Sequence, residues 1–117
     1  MTLPNAVGGM SAFEEMATDG TIWMNGEYVD WEDATVHVLS HAMHYGTGVF
    51  EGVRAYDTKE GTAIFRWEEH LERLYDSTKP YDMEIEYTPE ELTEATLEVL
   101  RRNDLESAYV RPLAYYG

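Results

Sequence analysis

The residues best placed to do chemistry in this chain are its few cations. Eight Lys+Arg stand against 23 Asp+Glu, a formal net charge of −15, so a cation set apart from carboxylates is conspicuous. Arg111 is such a cation: from Ser107 to Gly117 there is no acidic residue. Strand periodicity places Tyr109, Arg111, Leu113 and Tyr115 on one face. A guanidinium on so apolar a face requires an anion. That anion is either an Asp or Glu from another strand, or the carboxylate or phosphate of a ligand with Tyr109 as a second donor. The run from Val49 to Tyr56 repeats the pattern. Phe50, Gly52, Arg54 and Tyr56 share one face, and Glu51, Val53 and Ala55 share the other. Gly52 opens a gap between an aromatic ring and an arginine. Glycine within a strand marks close approach by a ligand or backbone, or else a bulge or packing position.

The other candidates have plainer readings. Arg73 has Glu69 four residues before it and Asp76 three after, the spacing of an intrahelical ion pair. Arg66, Arg101 and Arg102 sit beside acidic residues as solvated helix-face pairs. His37, His41 and His44 would align on a continuous helix, but Val36-His37-Val38 reads as strand, so no metal site is expected. Glu68/Glu69 and Glu90/Glu91 are helix-start charges that favour the macrodipole, not acid–base pairs. There is no Ser/His/Asp nucleophile pattern and no glycine-rich phosphate loop. Neither Lys59 nor Lys79 lies in an apolar setting that would depress its pKa.

The elements that must position these residues follow from the sequence. Residues 1–20, with Pro4, Gly8, Gly9 and Gly20 and no sustained period, predict a mobile tail, with a helical stretch around Phe13 to Met16 and Met10 as a candidate start. Thr21 to Met24 and Glu27 to Trp31 flank Asn25-Gly26, the dipeptide that accepts the positive φ angles of a type I′ hairpin. Val36-His37-Val38 is expected as a short third strand, Ser40 to His44 as one helical turn ended by Gly46. Val49 to Tyr56 and Thr62 to Arg66 pair across a turn at Lys59-Glu60-Gly61. Leu71, Leu74 and Tyr75 mark a helix from Trp67 to about Thr78, stopped by Pro80. Thr88-Pro89-Glu90-Glu91 is a capping box with proline at the first helical position. Its helix carries Leu92, Ala95, Thr96 and Val99 on one face and runs to Arg102 or Asn103. Ala108 to Tyr116 is a last strand. The fold class is α+β: a two-layer domain, mainly antiparallel sheet with two long helices. An apolar strand immediately before Gly117 suggests that a longer parent protein has been cut.

Composition excludes several classes of function. Without cysteine there are no disulfides, thiolate nucleophiles or zinc-thiolate sites. The net charge repels nucleic acid and anionic membrane surfaces. No run approaches the roughly 18 apolar residues of a membrane helix, and no signal-peptide pattern opens the chain. A soluble, cytoplasmic domain is expected. The acid excess also repels itself at low salt, and screening relieves it. With Lys59 and Lys79 the only lysines, the surface reads as that of a protein adapted to high salt, or of an ordinary acidic cytoplasmic protein.

Together these motifs resemble a known family. Trp23-Met24-Asn25-Gly26-Glu27 and Ser40-His41-Ala42-Met43-His44-Tyr45-Gly46-Thr47-Gly48-Val49-Phe50-Glu51-Gly52-Val53-Arg54 are similar to the N-terminal part of branched-chain amino-acid aminotransferases. So are Phe65-Arg66, His70-Leu71-Glu72-Arg73-Leu74 and Ser107-Ala108-Tyr109-Val110-Arg111-Pro112. These are class IV, fold-type IV enzymes dependent on pyridoxal 5′-phosphate, and the match runs in order from about residue 21 to the end.

The resemblance implies a small N-terminal domain over residues 21–117, with the large C-terminal domain absent. It implies that Arg73 binds the cofactor phosphate, against the intrahelical pair suggested by spacing. Phe50 and Gly52 would line the substrate side-chain pocket, and Tyr45 would reach the pocket of a partner subunit in a homodimer or higher homo-oligomer. Arg54, Tyr109 and Arg111 would lie near substrate carboxylates, Arg111 at the distal carboxylate of glutamate. The reaction implied moves an amino group between leucine, isoleucine or valine and 2-oxoglutarate. The family's Schiff-base lysine lies in the large domain. Neither Lys59 nor Lys79 matches it, so this chain alone should not transaminate. The alternatives are a D-amino-acid aminotransferase or aminodeoxychorismate lyase relative, or a non-catalytic binding domain.

Overall fold

The computed structural model describes residues 19–117. The tail expected over residues 1–20, its helical stretch included, lies outside the described residues apart from Asp19 and Gly20. The first hairpin forms as expected: β1 (Thr21–Met24) pairs antiparallel with β2 (Glu27–Asp30). Asn25 and Gly26 adopt φ of 51° and 89°, the left-handed pair this turn requires. A single 3-10 turn follows at Trp31–Asp33.

Val36-His37-Val38 is not a strand. Its polar groups are satisfied locally instead: the His37 ring accepts from the Leu39 N–H at 3.0 Å, and the His37 carbonyl accepts from Ser40 N–H at 2.9 Å. Both valines stay exposed, so no burial favours a ladder over this turn. The short helix α1 (His41–Tyr45) then ends at Gly46, whose left-handed backbone returns its N–H to Ala42.

The two long strands each split in two. Val49 to Tyr56 becomes β3 (Gly48–Phe50) and β4 (Val53–Thr58), followed by β5 (Gly61–Ile64). Ala108 to Tyr116 becomes β6 (Ala108–Val110) and β7 (Leu113–Tyr115). Pro112 explains the interruption, because it has no N–H to give the ladder. Its carbonyl still accepts from the Glu51 N–H at 3.1 Å. Phe50 faces Leu113 on one side of the break and Val53 faces Val110 on the other. The register is therefore unchanged, and no residue is inserted or lost. The sheets are β1-β2, β3-β7 and β5-β4-β6, all antiparallel.

Two helices cover one side. α2 (Trp67–Thr78) continues into a 3-10 turn at Lys79–Tyr81 around Pro80, and α3 runs Pro89–Arg102. Thr88 caps α3 by accepting the Glu91 N–H at 3.1 Å. Val53, Trp67, Leu71 and Leu74 form the core, with Val49, Ile64, Leu92 and Val110 packed on it. The Trp67 indole N–H donates to Thr93 at 2.8 Å and ties the helices together. Asn103, at the end of α3, bonds both backbone groups of Thr21 and holds the hairpin to the helix layer. The result is a two-layer α+β domain, as the pattern of elements implied.

Candidate active site

Residue alternation survives the break between β3 and β4. Glu51, Val53 and Ala55 are buried toward the helices, while Phe50, Gly52, Arg54 and Tyr56 are exposed on the opposite face. The neighbouring strand adds Tyr109, Arg111 and Leu113 to that exposed face. Arg54 lies across from Tyr109 and Phe50 across from Leu113. The Arg111 guanidinium carbon sits 4.5 Å from the centre of the Phe50 ring and 5.5 Å from that of Tyr109. Its Nη2 donates to the Tyr109 hydroxyl at 3.3 Å. A Cβ on Gly52 would lie 2.2 Å from that hydroxyl, so glycine is what admits the tyrosine here.

The anion that Arg111 requires does not come from a neighbouring strand. Neither Arg54 nor Arg111 forms an ion pair among the described residues, whereas Arg66, Arg73, Lys79, Arg101 and Arg102 all do. Two cations without carboxylates, beside exposed aromatic and aliphatic surface, give a face suited to an organic acid with an apolar side chain. Of the residues singled out in the sequence, Phe50, Gly52, Arg54, Tyr109 and Arg111 come together here.

Tyr45 and Arg73 lie elsewhere. Tyr45 is exposed on α1, its ring packed against His41 at 4.6 Å between centres. Arg73 is paired, but not within its helix. Its Nε donates to both oxygens of Glu51, at 2.8 and 3.0 Å, and its Nη2 reaches the same carboxylate at 2.7 Å. Glu69 and Asp76, the partners that spacing offered, are bound instead by Arg66 and Lys79. Among the described residues Nη1 of Arg73 has no partner, and the side chain is 66% exposed. A phosphate therefore has donors to meet at that edge.

Glu51 is the residue that reading the sequence missed. It is 6% exposed and also contacts His70 Nδ1 at 2.8 Å. The Arg73 hydrogen bonds hold its carboxyl below the usual carboxylate range, against the opposing effect of burial, and His70 lowers it further. The same carboxylate raises the Arg73 pKa. A signal was present: a carboxylate on the apolar face of a strand needs a cation as surely as Arg111 needs an anion. Of the other histidines, the His37 ring accepts from the Leu39 N–H and His41 Nδ1 lies 2.7 Å from the Thr47 hydroxyl.

Known proteins share this sequence and fold. The family model described as amino-transferase class IV matches residues 48–117. A branched-chain-amino-acid aminotransferase of Pseudomonas aeruginosa is 59% identical over 99 residues, 85% of this chain and 32% of that protein. The crystal structure of the Escherichia coli branched-chain amino acid aminotransferase superposes with a TM-score of 0.82 at 54% identity, covering 85% of this chain and 33% of that one. The branched-chain amino acid aminotransferase from T.th., complexed with N-(5′-phosphopyridoxyl)-L-glutamate, gives a TM-score of 0.81 at 57% identity, covering 86% and 34%. The chain spans about a third of the length of each relative. Since the family match takes in the strands that carry the exposed face, together with Glu51 and Arg73, the chain belongs to the class IV aminotransferases.

Proposed function

We propose that residues 21–117 form the small domain of a branched-chain amino-acid aminotransferase, which moves an amino group between leucine, isoleucine or valine and 2-oxoglutarate. Pyridoxal 5′-phosphate, when bound, supplies the electron sink for this chemistry, with a lysine contributed by the large domain. In this reading Arg73 holds the cofactor phosphate through the donors that Glu51 leaves open. Phe50 and Gly52 shape an apolar wall that fits branched aliphatic side chains. Arg54, Tyr109 and Arg111 hold substrate carboxylates, Arg111 taking the distal carboxylate of glutamate. Tyr45, exposed on α1, serves the pocket of a partner subunit in a homo-oligomer. The protein works in the cytoplasm at high salt, a reading supported by its acid excess and its two lysines.

The observation that carries the proposal is the exposed face where Arg54 and Arg111, among the described residues, stand without carboxylates beside Phe50 and Tyr109. The test is steady-state kinetics of the complete enzyme with Arg111→Ala. A charge-assisted contact to one carboxylate is worth roughly 10- to 100-fold in kcat/KM. That loss is expected for glutamate and 2-oxoglutarate, while leucine and its 2-oxo acid change little. Equal losses for both substrate classes would overturn the role of Arg111. Faster turnover of D-alanine than of leucine would overturn the substrate assignment.

A further inference from the structure

Glu51 is a buried charge that the chemistry proposed above does not use. It lies on the helix-facing side of the sheet, opposite the face of Phe50 and Arg111. Its carboxylate is gripped by two side chains one helical turn apart on α2, His70 and Arg73. The helix carboxylates that would compete for Arg73 are engaged by other cations. The orientation of Arg73 is therefore set from the sheet, not from its own helix.

An arginine side chain has several rotatable bonds, and ordering it upon binding costs conformational entropy. Its guanidinium is planar, so gripping the Nε–Nη2 edge fixes the plane and leaves the remaining N–H groups directed away from the carboxylate. We propose that Glu51, steadied by His70, is a positioning residue that pre-orders Arg73 for the phosphate of pyridoxal 5′-phosphate. The inference rests on the reading of Arg73 as the phosphate-binding residue. Two effects oppose each other here. Pre-ordering strengthens phosphate binding, whereas the negative charge of Glu51 weakens it by repulsion. The pre-ordering effect dominates, because the carboxylate already sits against the far edge of a cation that screens it from an incoming anion. The sign of the Glu51→Gln effect therefore decides the matter.

The experiment titrates the complete apoenzyme with pyridoxal 5′-phosphate and, in parallel, with pyridoxal, which has the same ring and aldehyde without the phosphate. Glu51→Gln is expected to weaken binding of the phosphorylated form about tenfold, in the range that outer partners contribute at metal sites. Binding of pyridoxal should not change, and Glu51→Gln should add nothing to Arg73→Ala. Glu51→Asp keeps the charge but draws it back by one methylene. It should show a smaller, equally phosphate-selective loss, and it serves if Glu51→Gln folds poorly. Equal weakening of both compounds would mean that Glu51 is merely structural and would overturn the proposal. Unchanged or tighter binding of the phosphorylated form would overturn it too. If Arg73→Ala left that affinity unchanged, the reading of Arg73 would fall, and this inference with it. A failure of Glu51 alone appears as a loss in Arg73→Ala that Glu51→Gln does not share.

Discussion

At the scale of single residues, the ion pair of Glu51 and Arg73 has a consequence for acid stability. Hydrogen bonds from Arg73 hold the Glu51 carboxyl below its ordinary value of 4.5 in the folded chain. The unfolded chain therefore takes up the proton first as the pH drops. The stabilisation is complete above about pH 4.5 and is lost as the pH falls through the lower folded value. Glu51→Gln should lower stability at pH 7 by about 1 kcal/mol, because solvent reaches the two-thirds-exposed Arg73 and screens the contact. The difference from the parent should shrink steadily below pH 4.5. Urea unfolding at about pH 7, 5 and 3.5, spanning that window, measures it, and a constant difference would rule out the Glu51–Arg73 pair as its source. Arg111 was legible from sequence as a cation needing an anion. That no strand among the described residues supplies this anion was not, because it depends on which side chains face which.

Among the secondary-structure elements, α3 carries the clearest sequence signature. Thr88 accepts the Glu91 N–H at 3.1 Å and Pro89 opens the helix. Thr88→Ala should cost about 1 kcal/mol, the usual value of an N-cap. Thr96 lies within the same helix and bonds back to the Leu92 carbonyl. Thr96→Ala should be close to neutral, since such bonds add little to helix stability. Thermal melts of the two variants test the pair, and equal losses would refute the capping assignment. Where local chemistry dictates the backbone, as at Asn25-Gly26, Gly46 and Thr88, sequence and structure agree. The split of the two long strands was less legible, although Pro112 announced the missing N–H. Whether that proline would divert the register or interrupt it depended on the partner strand. Val36-His37-Val38 has strand-forming residues but gained a local turn, because among the described residues nothing covers its valines.

Across the whole molecule, charge is unevenly used. Most cations neutralise neighbours: Arg101 and Arg102 share Glu98, Lys79 holds Asp76, and Arg66 holds Glu69. A net charge of −15 on 117 residues leaves strong self-repulsion. Screening should relieve it, so the melting temperature of the complete enzyme should climb between low and molar salt. Neutral osmolytes at matched water activity should not reproduce the whole rise. A flat salt profile would remove the reading of salt adaptation. Among the described residues Arg54, Lys59 and Arg111 form no ion pair, and the two arginines lie on the face the helices leave bare.

The sequence by itself determined the turns, the helix starts and ends, the alternation of strand faces, and the family motifs from Trp23 to Pro112. Each of these is written in residue types a few positions apart, where backbone sterics and local hydrogen bonds suffice. Tertiary structure alone decided which charges distant in sequence meet. Glu51 and Arg73 are 22 residues apart, and Gly52 meets Tyr109 across two strands. Contacts of that kind depend on how the sheet lies against α2 and on the register between strands. Both are set by burial of the common core, which no local pattern encodes.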